Sequence, residues 1–174
     1  MVQIVIVNGM PTSGKSTFVE YCLDKLGALG REISTVDFVK ELAKMAGWDG
    51  TKTYRNRRFL SDLKDLLTEW NDVPFKKIKE AKELFEGDLA RYDMEHSKVF
   101  LFVHCREPYE IQKIKDRLGA YTVLIRREAV ENNEQSNHAD RNVFDFKYDI
   151  VIDNNKGLNE LKRQAEGFVK LVTM

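Results

Sequence analysis

Cysteine is scarce in this chain. Cys22 and Cys105 are the two among 174 residues, and they form no Cys-x-x-Cys pair. That excludes a disulfide scaffold of the secreted type and leads to the expectation of a reduced, cytoplasmic setting. Net charge is lacking too: 28 Lys and Arg offset 28 Asp and Glu. The chain as a whole therefore exerts no pull on nucleic acid or on an acidic membrane, and each basic cluster has to be weighed by itself. No apolar run is long enough to cross a bilayer. No basic stretch precedes the apolar run 2–7, so that run is expected to be a strand rather than a targeting signal. Internal repeats and low-complexity segments are missing. What is there, 43% hydrophobic and 32% charged residues, is the profile of a globular protein with room for one domain and a sizeable core.

The patterning sorts into alternating elements. Residues 2–7 are apolar almost without interruption, as a strand buried on both faces must be. A helix over 16–28 ends near Gly27 and Gly30. A short strand is expected over 32–36, with Asp37 capping a helix over 38–46 that stops at Gly47. Residues 48–96 read as a helical insertion. Phe59, Leu60, Leu63, Leu66, Leu67 and Trp70 fall on one helical face. Asp72 and Pro74 mark a second start, with Phe75, Ile78, Leu84 and Phe85 as its stripe. Trp48 and Trp70 are expected to pack. Strands follow over 99–103, 121–125 and 148–152, and helices over 108–118 and 158–172. This order predicts a three-layer α/β/α fold with a mostly parallel five-stranded sheet. The run 131–142 is too polar to pack and is expected to be a mobile loop, the main part of a lid over 128–142.

Residues 8–17 read Asn-Gly-Met-Pro-Thr-Ser-Gly-Lys-Ser-Thr. Gly9-x-x-x-x-Gly14-Lys15-Ser16 is the Walker A pattern, set between the expected strand and helix. Glycines allow backbone angles that turn successive N–H groups inward around phosphate oxygens. The following helix points its positive end at the same place. Gly9, Thr12, Ser13, Gly14, Lys15, Ser16 and Thr17 are thus expected to hold ATP. Lys15 reaches the β- and γ-phosphates and the Ser16 hydroxyl ligates Mg²⁺. A guanine-reading Asn-Lys-x-Asp is missing, since Asn155-Lys156-Gly157-Leu158 lacks the aspartate. A small domain with a helical insertion and a polar late loop points to a phosphotransferase, in which closure keeps water from the transferring group.

Ligands of open α/β sheets gather at the carboxyl ends of strands. Asp37, residues 104–107, Arg126 with Arg127, and residues 153–156 are expected there. Arg106 is placed to clamp an acceptor phosphate or carboxylate through its planar fork, or to pair with Glu107 or Glu110. Lys52, Arg55, Arg57 and Arg58 open the insertion and suit an acceptor anion, although Arg58 and Asp62 stand at helical pairing distance. Asn154, Asn155 and Lys156 form a turn or meet a nucleobase. Asp37 is the best-placed base should the acceptor be a hydroxyl. His96 and His138 have no partner at metal-ligand spacing, and no basic partner for Cys105 is evident.

Four stretches together carry a resemblance: the Walker A loop, Arg-x-Phe-Leu-Ser-Asp-Leu-Lys-Asp-Leu-Leu-Thr-Glu-Trp at 57–70, His-Cys-Arg-Glu-Pro at 104–108, and Ala-Asp-Arg-Asn-Val-Phe-Asp-Phe-Lys-Tyr-Asp-Ile-Val-Ile-Asp-Asn at 139–154. Over nearly its whole length the chain resembles the P-loop nucleotide kinases. Within them it is most similar to the deoxynucleoside monophosphate kinase-like proteins of bacteria and phages, and more distantly to phosphomevalonate kinase. The resemblance implies transfer of a phosphoryl group from Mg·ATP to a small phosphorylated acceptor, probed by Asp37, Arg57, Arg58 and Arg106. It implies that Arg126 and Arg141 neutralise charge on the transferring group and that Asn155 meets the adenine. A monomer or homodimer is expected, with no membrane partner and no strong nucleic-acid signal. The chain departs from the pattern at His104, where such enzymes carry an aspartate supporting Mg²⁺. Asp37 or Glu107 is the replacement. A kinase for a non-nucleotide metabolite or a polynucleotide end, and a non-catalytic nucleotide-binding module, are the competing readings.

Overall fold

The computed structural model describes residues 1–92, 94, 97–131 and 142–174. Strand β1, Val2–Asn8, runs through the middle. It pairs in parallel with β3, Val99–His104, from Val2 opposite Val99 to Val7 opposite His104. On its other side β4, Tyr121–Arg126, pairs from Val5 opposite Tyr121 to Asn8 opposite Leu124. Strands β2, Gly30–Ser34, and β5, Ile150–Asp153, form the two edges, giving the order β2-β3-β1-β4-β5. Every pairing is parallel. Asn8, Ser34, His104, Arg126 and Asp153 consequently end on one side of the sheet.

Alternate residues of a strand face opposite layers. Val5 and Val7 face α1, Lys15–Leu26, and the last helix, Leu158–Thr173. There Phe18 meets Phe168 edge-on at 5.6 Å. Ile4 and Ile6 face the other layer, where Ile78, Phe85 and Leu89 of one helix and Ile111 and Ile114 of another are buried. Both faces are covered, which is why β1 and β3 lack polar alternation.

Between β2 and β3 come α2, Asp37–Met45, α3, Tyr54–Asn71, and α4, Val73–Arg91. The break falls where Asp72 and Pro74 predict it. Asp72 takes a left-handed conformation, φ +51°, and Pro74 sits in the first turn of α4, where its missing N–H costs nothing. After β3 come α5, Pro108–Leu118, and after β4 the short α6, Glu128–Glu131. The last helix, Leu158–Thr173, is α7. Among the described residues no helix is long and apolar enough to cross a membrane.

Several expectations need correction. Strand β2 begins two residues early and ends at Ser34, because its register is set by β3, with Thr35 N–H already bonded to the His104 carbonyl at 3.1 Å. Asp37 is the first residue of α2 rather than its cap. Its carboxylate reaches back to the Ser34 N–H at 2.7 Å. The expected apolar face of α3 is not buried: no residue of that helix is, and Phe59, Leu66 and Trp70 are 39%, 61% and 74% exposed. Leu84 of α4 is exposed as well. Only the flank carrying Leu60, Leu63 and Leu67 is half-buried, on the side where α3 lies against α2 and α4. Trp48 is half-buried, and its indole N–H donates to the Thr51 carbonyl.

Candidate functional site

Residues 9–14 link β1 to α1 at the centre of the carboxyl edge. Gly9 has φ +151°, and a Cβ there would lie 2.4 Å from the Ile125 carbonyl oxygen and 2.7 Å from Ser13 Oγ. Gly14, φ +99°, caps α1, and a Cβ there would lie 2.4 Å from Asn154 Nδ2. Both glycines are therefore demanded by conformation and by crowding at once. Thr12 adopts φ +61° at the exposed tip of the turn. Ser13 is fully buried, and its hydroxyl is a buried polar atom with no hydrogen-bond partner. Ser16 is exposed and Thr17 half-buried in the first turn of α1.

Lys15 does not reach into solvent. Its ammonium donates to the carbonyls of Gly9 at 2.6 Å and Met10 at 2.7 Å, so the side chain folds over its own loop. The loop is braced from both sides by asparagines. Asn8 is fully buried and accepts the Gly9 N–H at 2.8 Å. Asn154 donates its amide to the Ser13 carbonyl at 2.8 Å, while its own N–H is bonded to the Arg126 carbonyl.

The parallel sheet brings the other predicted groups to this edge. Arg126 forms a two-pronged ion pair with Glu131, at 2.8 and 2.6 Å. That pairing holds the Glu131 carboxyl below its ordinary range. Arg127 donates to the Thr12 carbonyl at 3.3 Å. Asn155 accepts from the Glu128 N–H at 2.9 Å and so caps α6. His104 stands where an aspartate was expected, and its ring nitrogen lies 3.1 Å from the Glu32 carboxylate. Arg141, His96, His138 and most of the predicted lid lie outside the described residues; of the lid's ends, 128–131 is helical.

On the insertion side Asp37 also holds Lys40 at 3.4 Å. Arg58 pairs with Asp62 at 3.6 Å on the exposed surface of α3, as their spacing allowed, and Arg57 is exposed. Arg106 is half-buried beyond β3. Glu110, weighed as its partner, is paired with Lys64 at 2.6 Å and also accepts from the Cys105 thiol at 3.6 Å. Burial, with the Glu110 charge adding to it, pushes that thiol well above its ordinary range. A small open cleft lined by Thr35, Phe75, Asp72, Lys113 and Glu110 lies between the start of α4, α5 and the turn after β2, with Lys113 paired to Asp72.

Sequence reasoning missed Asn8, Tyr148, Glu131 and Lys64. Asn8 had a signal, an amide at the end of an apolar strand, but Arg106 and Tyr148, to which it donates, lie 98 and 140 residues away along the chain.

The arrangement, a phosphate-loop turn between the central strand and first helix of an all-parallel α/β/α sheet, defines the P-loop fold. Neither a protein-family model nor a curated protein matches the chain. Among solved structures it is similar to a gluconokinase from Sinorhizobium meliloti 1021, with a TM-score of 0.50 and 15% identity over 98% of this chain and 93% of that one. At that identity the likeness is one of fold.

Proposed function

We propose that the chain is an ATP-dependent phosphotransferase that passes the γ-phosphoryl group to a small phosphorylated acceptor, a nucleoside or deoxynucleoside monophosphate. The observation that carries this reading is the 9–14 turn, whose glycines are fixed by crowding and whose lysine already lies across it. Residues 9–17 hold the triphosphate, and its oxygens replace the Gly9 and Met10 carbonyls as partners of Lys15. The buried, partnerless Ser13 hydroxyl suits a phosphate oxygen. The donor set also fits Mg²⁺ arriving with the nucleotide. Ser16 would offer the metal one hydroxyl, with the nucleotide and water supplying its other ligands. When bound, the metal neutralises charge on the β- and γ-oxygens.

The insertion over 48–96 forms the acceptor side, with Arg57, Arg58, Arg106 and Asp37 as its contacts. Arg126 leaves Glu131 to meet the transferring group, Arg141 joins it, and residues 128–142 close over the site. A monophosphate acceptor is already an anion near neutral pH, so no general base is needed. Asn155, an α6 cap, meets adenine only through its backbone or after α6 shifts. A cytoplasmic enzyme working as monomer or homodimer fits this reading.

A second reading, a metabolite kinase acting on a hydroxyl, draws support from Asp37 at the acceptor side and from the gluconokinase likeness in fold. Transfer of labelled γ-phosphate to a panel of ribo- and deoxyribonucleoside monophosphates, gluconate and oligonucleotide ends separates the cases. Labelling of one or a few monophosphates is expected. Labelling of gluconate or oligonucleotides alone moves the acceptor assignment. Tight Mg·ATP binding with no transfer to any of them leaves a binding module.

A further inference from the structure

We infer that Asn8 and Tyr148 are a positioning pair that holds the turn after β3 and the turn before β5 in register with the phosphate loop. Asn8 is the last residue of β1 and is fully buried. All of its amide's hydrogen atoms and its oxygen are engaged. The oxygen accepts from the Gly9 N–H at 2.8 Å. The nitrogen donates to the Arg106 carbonyl at 3.1 Å and to the Tyr148 hydroxyl at 2.7 Å. Tyr148 passes the chain of bonds on, donating to the Val143 carbonyl at 2.8 Å. The two side chains thus join the start of the phosphate loop, the backbone at Arg106 and the 3₁₀ turn Asn142–Phe144.

A buried amide is tolerated only when its hydrogen bonds are made, so each of these partners fixes the others. An apolar residue at position 8 could join none of these groups. The tyrosine ring is held edge-on to Phe146 at 5.1 Å. Burial pushes its hydroxyl up to about 12, so the proton given to Val143 stays in place throughout the neutral range. Bound phosphate tightens the 9–14 turn, and the pair conveys that order to residues 105–107 and 142–146.

The kinetic part of the test rests on the phosphotransferase reading; the exchange part rests only on its Mg·ATP-binding half, which protection of 9–14 checks in the same experiment. Tyr148→Phe removes one oxygen and keeps the ring, whereas Asn8→Asp, which sets a charge in the core, is a secondary variant because it endangers folding. In the wild-type chain a non-hydrolysable Mg·ATP analogue is expected to slow amide exchange over 9–14 and also over 142–146. In Tyr148→Phe the protection of 9–14 persists, while that of 142–146 falls about fivefold, the equivalent of one neutral hydrogen bond. Where transfer is measurable, kcat falls roughly tenfold with the KM for ATP within about twofold, as misplacement without loss of binding requires. Equal protection of 142–146 in the variant, or none there in the wild type, overturns the proposal. So does faster exchange spread evenly over the molecule, which marks plain destabilisation. Wild-type protein that transfers to no acceptor sinks the phosphotransferase reading, and the exchange data still decide the pair.

Discussion

Lys15 spends its charge on two carbonyl oxygens of its own loop. On the proposed reading a triphosphate would offer it stronger, charged acceptors at the same place, and the lysine would change partners rather than travel. Lys15→Ala is expected to lower the rate of γ-phosphate transfer by about a hundredfold or more, as for other preorganised charges, with the thermal midpoint nearly unchanged. Near-normal turnover would remove the loop from the mechanism. Gly14→Ala is a harsher change. Its methyl group would meet the Asn154 amide at 2.4 Å in a backbone conformation that alanine resists. Since Asn154 holds the Ser13 carbonyl, the variant is expected to lose Mg·ATP affinity, readable by calorimetric titration, while the far-ultraviolet spectrum of the fold persists. At this scale the phosphate loop was legible because its determinants are local. The bracing asparagines were not, because an amide reveals its role only through partners that folding supplies.

At the scale of elements, α3 is the informative case. It buries no residue, yet it stays on the body of the protein. Beside the half-buried flank of Leu60, Leu63 and Leu67, two charge pairs tie it and the turn after it to α5: Lys64 to Glu110, with side chains only 12% and 10% exposed, and Asp72 to Lys113 at 2.8 Å. Removing one partner of a pair so enclosed strands the other. Glu110→Ala is therefore expected to cost about 3 kcal/mol in urea unfolding. Replacing both members, Lys64→Met with Glu110→Leu, should restore most of that loss, because no uncompensated charge remains. A double variant as weak as the single one would show that packing rather than charge governs the joint. The stripe Phe59, Leu66 and Trp70 predicted the helix correctly but not its face. Periodicity says that a helix has an apolar side; it does not say which neighbour will arrive to cover it.

For the whole molecule, buried thiols and a buried phenol set an alkaline limit, Cys105 among them. Burial raises the Cys22 thiol from 9.0 to about 12 and the Tyr148 hydroxyl from 10.0 to about 12. Both pKa values are raised by folding, so the folded chain favours the protonated forms. Their contribution to stability is whole below pH 9 and is lost as pH rises from 9 to 12. Urea midpoints should therefore fall between pH 8 and pH 11, and Cys22→Ala, though weaker at pH 8 through its cavity, should fall less steeply. A wild-type midpoint that stays flat over that range would contradict the burial of both groups.

The sequence by itself determined the α/β/α class, the order of strands and helices along the chain, the glycine turn at 9–14 and the break at Asp72. Each of these follows from a short-range cause: an uninterrupted apolar run, a glycine at a forbidden angle, or a proline in a first helical turn. Even the collection of Asp37, His104, Arg126 and Asp153 at one edge followed, because parallel strands of one sheet all end on the same side. Only the tertiary structure decided the end of β2, which its register with β3 fixes, and the distant partners of Lys64, Glu110 and Asn8. Those choices depend on which distant segment presents a matching charge or hydrogen-bonding atom within about 3 Å, and residues so far apart along a chain are brought that close only by the packed sheet between them.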